Sequence, residues 1–102
     1  MVAIAKLVDG LVISEEYAIG PKHSKIVSGN SSSTITLTIS SSSVRVLHVL
    51  GVKSIELPNG LVIEGISAKD NCTIDIKVRN TTDSDITIDA NSISATVVVV
   101  GY

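Results

Sequence analysis

Apolar and polar residues alternate with a period of two along most of this chain. Between Ser33 and Ile39 the apolar side chains are Ile35, Leu37 and Ile39, and the residues between them, Thr34, Thr36 and Thr38, carry hydroxyls. A strand sends successive side chains to opposite faces, so such a segment has one face to bury and one to show to solvent. Cys72, Ile74, Ile76 and Val78 repeat the scheme, with Thr73, Asp75 and Lys77 facing out. The pattern predicts strands over residues 2–8, 11–14, 25–28, 34–39, 44–50, 53–57, 61–66, 72–79, 85–89 and 93–100. Residues 15–19 are either a turn or an extended continuation of the strand before them. No window of ten or more residues favours a helical period over a strand period.

Turn residues punctuate these segments where the chain must reverse. Asp9-Gly10 is a strong hairpin signal, and Gly20-Pro21 stops a strand because proline fixes φ and lacks a donor. Gly29-Asn30-Ser31-Ser32 and Asn80 through Ser84 are polar turns. Pro58-Asn59-Gly60 has proline where a turn wants φ near −65° and Asn-Gly where φ turns positive. Ser40 to Ser43 reads as a loop between strands, with Val44 to Leu50 beyond it, apolar on both phases as befits a central strand that Gly51 ends. Regularly spaced short strands predict an all-β, antiparallel β-sandwich of about eight strands, jelly-roll-like or immunoglobulin-like. The 102 residues form a single domain over 1–102.

Composition agrees and removes several functions. Ile and Val dominate the apolar set, whose β-branched side chains suit a pleated surface. Charged residues make up only 18% of the chain and the formal net charge is −2, leaving no basic stripe for nucleic acid. Tyr17 and Tyr102 are the only aromatics, too few for a base-stacking platform or a lectin's usual ring-on-aromatic docking. A polar or metal-assisted route to sugar remains open. The run from Val97 to Val100 is too short to span a bilayer, and no signal peptide pattern opens the chain. The lone cysteine, Cys72, excludes an internal disulfide and, being in phase with Ile74, is expected to be buried.

Reactive groups are sparse. His48 lies in an apolar segment and is expected to be packed, whereas His23 follows Gly20-Pro21-Lys22 in a loop and suits a contact role. Neither has a visible orienting partner, and no nucleophile elbow surrounds any serine. Asp83, Asp85 and Asp89, with Asp70 in phase, could supply oxygens to calcium, but their spacing matches no defined loop, and turn acids commonly bond their own backbone. Three Asn-x-Ser/Thr triplets, at Asn30, Asn71 and Asn80, are what a Ser/Thr-rich chain produces by chance. The expectation is a non-enzyme with no catalytic, metal or cofactor site.

The segment from Gly51 to the end resembles β-sandwich modules of tailed-bacteriophage virion proteins. The resemblance lies in the turn Leu57-Pro58-Asn59-Gly60-Leu61, the alternating strand from Cys72 that ends in Arg79-Asn80-Thr81-Thr82, the strand from Asp85, and the valine-rich close. It implies a structural virion protein, foremost a capsid decoration (cement) protein that binds the major capsid protein or another virion protein as a homotrimer, assembled in the host cytoplasm. The alternative it implies is a host-surface glycan- or protein-binding module of a phage fibre or tail. Neither nucleic acid nor a membrane is expected as a partner. Val97 to Val100 and residues 2–8 are apolar on both faces, and a strand apolar on both faces needs a cover on each. Val2, Ile4, Val98, Val100 and Tyr102 are therefore the expected oligomer or partner interface.

Overall fold

Among the described residues, nine strands and no α-helix form where the period-two pattern runs. The computed structural model describes residues 10–40 and 44–102, together with the backbone of residues 2–6. The strands are β1 (Val2–Lys6), β2 (Val12–Gly20), β3 (Lys25–Val27), β4 (Ser32–Ile39), β5 (Val46–Ile55), β6 (Leu61–Ala68), β7 (Thr73–Asn80), β8 (Ile86–Ile88) and β9 (Ile93–Gly101). All pairings are antiparallel.

The main sheet runs β5-β9-β2-β4-β7-β6, and β1 adds to the first half of β2. β2 is its pivot. It pairs with β9 along its whole length but with β4 only through Ala18 and Ile19. The sheet folds over at that short junction, so that β1, β2, β9 and β5 face β4, β7 and β6. Side chains from both halves, among them Ala18, Val49, Val97 and Val99 opposite Ile35, Leu37, Ile74 and Ile76, meet in one core. The result is a sandwich that approaches a barrel, 48 × 20 × 19 Å in extent. β3 and β8 pair separately and close the core with Val27 and Ile88. Gly20 follows that junction, and a Cβ there would run into the Thr36 carbonyl. That close approach is what requires glycine.

Several expectations need correction. Residues 15–19 are the extended continuation of β2, not a turn. The two segments 44–50 and 53–57 are one strand, β5, which runs straight through Gly51. Moreover, β5 lies at the edge of the sheet, not its centre. Three register shifts against β9 let its side chains change face without ending the pairing. This is why Leu47 and Leu50, apolar on the wrong phase, stand about half exposed. His48 is exposed as well, not packed. Cys72 is a free, exposed thiol. Its phase is that of buried Ile74, Ile76 and Val78, but β7 begins one residue later, and the turn takes Cys72 off the core face.

β9 shows a plain alternation, with Val97 and Val99 buried and Val98 and Val100 only partly covered. Tyr102 is exposed. Of the other expected interface residues, the side chains of Val2 and Ile4 lie outside the described residues, as do Asp9 and Ser41 to Ser43.

Candidate functional site

Three places hold polar groups in a defined arrangement, and only one of them is open to a ligand. The first is built by Asn80, the last inward-facing residue of β7 in phase with Ile74, Ile76 and Val78. Its side chain is fully buried and uses its whole amide. Nδ2 donates to the carbonyls of Val27 at 3.0 Å and Ser84 at 2.7 Å, and Oδ1 accepts from the Thr82 N–H at 2.9 Å and the Thr82 hydroxyl at 2.7 Å. Asp83 and Asp85 lie beside this knot and brace the β3–β4 turn: Asp83 Oδ1 accepts from Asn30 Nδ2, and Asp85 Oδ1 from the Gly29 N–H. Asp70 serves a different turn, so the sequence's acidic group is not brought together. Among the described residues no three His, Cys, Asp or Glu side chains could hold a metal ion.

The second is the interior of β2. Ser14 and Glu16 share the inward phase of Ala18 and are buried, and neither Ser14 Oγ nor either Glu16 carboxylate oxygen has a hydrogen-bond partner among the described residues. A buried carboxylate is costly unless paired. The signal was legible, since Ser14, Glu16 and Ala18 keep step, but it required knowing that residues 15–19 are strand.

The third is a groove of about 600 Å³ on the outer side of β4, with Pro21 to Lys25 as one wall and Lys69 of the β6–β7 turn with Thr73, the first residue of β7, as the other. The cis bond between Gly20 and Pro21 turns the chain out of β2 into this wall. Thr34, Thr36 and Thr38 form the floor, spaced about 7 Å apart because alternate residues of a strand share a face. Thr38 stands directly opposite Thr73 across the β4–β7 ladder, and Thr36 opposite Asp75. Lys25 Nζ is held at the rim by the Thr34 carbonyl at 2.7 Å. Thr36 donates to Asp75 Oδ1 at 2.7 Å. Thr73 Oγ1 is buried and makes no hydrogen bond of good geometry, although its nearness to Asp70 helps hold that acid down. His23, expected to be a contact residue, lies on this wall.

Asp70 lies in the β6–β7 turn, next to Lys69 of the groove wall. Its Oδ1 accepts the backbone N–H groups of Cys72 and Thr73, both at 3.0 Å. The Cys72 N–H, first, and the Thr73 hydroxyl hold its carboxyl below the usual carboxylate value. The same oxygen lies 3.5 Å from Cys72 Sγ, and this hydrogen bond to a carboxylate pushes the thiol up. A thiol raised in this way is less nucleophilic at neutral pH.

Four of the exposed large apolar side chains lie elsewhere, on the edge strands β5 and β6, and Ile26 of β3, Tyr17 of β2 and Tyr102 are exposed as well. Leu47 and Leu50 project from β5, and Val62 and Ile63 from β6. No protein-family model matches this chain, and no curated protein or solved structure matches it.

Proposed function

We propose that this chain is a non-catalytic assembly protein of a tailed-bacteriophage virion, a capsid decoration protein that attaches to the capsid surface and stabilises it as a homotrimer. One observation carries the assembly half of this reading: four large apolar side chains, Leu47, Leu50, Val62 and Ile63, are exposed on the edge strands β5 and β6. Scattered apolar residues on a surface are ordinary, but a concentration at unpaired edges is where another chain gains most by docking. Val98 and Val100, partly covered on the outer face of β9, add a little to the apolar surface available to a neighbour. The virion setting and the number three rest on the resemblance of the segment from Gly51 onward. Catalysis forms no part of this reading, and both histidines are exposed.

Two measurements test it. Sedimentation equilibrium of the purified 10.6 kDa chain is expected to give a trimer. Gradient-purified particles of the phage that encodes it are expected to contain it in many copies. A monodisperse monomer that is absent from the particles overturns the proposal.

A further inference from the structure

We infer that the β4 groove is a binding site for an acidic oligosaccharide, a polyhydroxylated chain bearing carboxylate or sulfate groups. The inference stands apart from the assembly role, which uses the sheet edges. Lys22, Lys25 and Lys69 line the groove. They are three of only eight Lys and Arg in a chain with a net charge of −2, and His23 stands among them. No carboxylate is part of the lining. Positive charge is thus gathered at one place on a protein that is elsewhere neutral to acidic, which is what attracts and orients an anion.

The bordering acids are already committed. Asp70 Oδ1 is occupied by two backbone N–H groups and Asp75 Oδ1 by the Thr36 hydroxyl. They temper the local field without filling the groove. Lys25 is anchored by one hydrogen bond to the Thr34 carbonyl, which fixes its ammonium at the rim and leaves two donors free.

The rest of the lining selects what carries the charge. Ser24, Thr34 and Thr38 present hydroxyls, each able both to donate and to accept, and Thr36, whose proton goes to Asp75, can still accept. A hydroxyl row at about 7 Å intervals along a strand suits an extended ligand that offers hydroxyls of its own. The lining has no aromatic ring, so stacking on a nucleobase is not available to it. Pro21 and a little of Ile35 supply the only apolar contact. The recognition is therefore ionic and hydroxyl-to-hydroxyl, with no ring platform.

The test is an amide-resolved NMR titration of the whole chain with four probes: tetragalacturonate for carboxylates, a heparin-derived tetrasaccharide for sulfates, maltotetraose as a neutral chain, and inorganic sulfate. One or both acidic tetrasaccharides are expected to shift the amides of Lys22 to Lys25, Thr34 to Thr38 and Thr73. Which of the two does so identifies the acid group. Each of Lys22→Gln, Lys25→Gln and Lys69→Gln is expected to weaken binding about tenfold, the loss of one charge-assisted contact. Lys53→Gln, on the far side of the sandwich, is expected to leave it unchanged. Thr38→Val is expected to weaken the saccharide without affecting inorganic sulfate. The inference is overturned if neither acidic chain binds. It also fails if maltotetraose or sulfate alone binds as well as they do, or if Lys53→Gln weakens binding as much as the groove variants.

Discussion

Removing the Asn80 side chain should cost this fold about 3 kcal/mol, and the geometry says why. Asn80 makes four hydrogen bonds in full burial, to Val27, Ser84 and twice to Thr82. The Thr82 hydroxyl also has the Ser84 carbonyl as an acceptor at 2.9 Å, so that bond is recoverable and three are lost outright. At about 1 kcal/mol for each such bond, Asn80→Ala loses about 3 kcal/mol, with the buried Val27 carbonyl as the acceptor least able to find water. For a domain of this size that is a drop of roughly 12 to 24 °C in Tm. Asn80→Asp keeps the shape but turns an acceptor toward the Val27 and Ser84 carbonyls, so near neutral pH it should be less stable than Asn80→Ala. The introduced carboxyl would be held above its unfolded value in the native state. The stability of Asn80→Asp should therefore be greatest below about pH 4 and fall as pH rises through that native value. Urea unfolding of the three proteins at pH 3.5 and pH 7 provides the measurement. A loss below 1 kcal/mol for Asn80→Ala, or a pH-independent Asn80→Asp, would refute the reading of Asn80 as the tie between β7, β3 and the β7–β8 turn.

Other substitutions probe other joints. Gly20→Ala should destabilise by about 1–3 kcal/mol, the usual range for overpacking, because its Cβ would meet the Thr36 carbonyl where the sheet folds over; thermal unfolding indistinguishable from the parent would show that the two halves have room to separate. Asp70 is held below its ordinary value, so its contribution to stability is present above about pH 4 and lost as pH falls through its lower native value. Asp70→Asn should flatten that acid limb and quicken alkylation of Cys72 by iodoacetamide at pH 8, since it replaces the charged acceptor that raises the thiol with a neutral amide oxygen, a weaker acceptor with no charge; an unchanged alkylation rate would refute the coupling. Val98→Lys should weaken self-association if Val98 faces a neighbour, because it would bury an unpaired charge; sedimentation of a folded variant with undiminished assembly would remove β9 from the interface.

The fold class was legible because a period of two is a direct consequence of strand geometry, and eight of the nine strands overlap segments that the alternation marked one-to-one. What the alternation could not reveal was β5. Residues 44–50 read as a central strand because apolar side chains occupy both phases, yet the strand lies on an edge and slips register three times. A bulge destroys the period it interrupts, so it looks like two short strands around Gly51. Cys72 failed for a related reason: phase predicts which face a residue would take, not whether the strand has begun. The polar knot at Asn80 was visible only as a turn triplet, although its step with Ile74, Ile76 and Val78 had already placed it inward. The β4 groove needed the third dimension, since Lys22, Thr36 and Lys69 are far apart along the chain. Only His23 hinted at it.

The form of the β5 and β6 edges also bears on how a partner would engage them. β5 carries three register shifts and β6 one, between Ile63 and Gly65. A bulged edge cannot offer an even ladder of N–H and C=O groups, which is how sheet proteins avoid continuous strand addition. The apolar side chains at those edges, Leu47, Leu50, Val62 and Ile63, are under no such restriction and can enter pockets on another surface. Docking by side chains, without β-augmentation, is the outcome this geometry favours. Two results are then expected together in the assembled state. Leu50→Lys should abolish docking while leaving the isolated chain folded, because its side chain is about half exposed when free. The outward amides of β5 and β6 should exchange hydrogen as they do in the isolated chain, since no new backbone ladder covers them. Alternate amides of β5 or β6 becoming protected on assembly would mean that a strand has been added after all, and the edge would then be acting through its backbone.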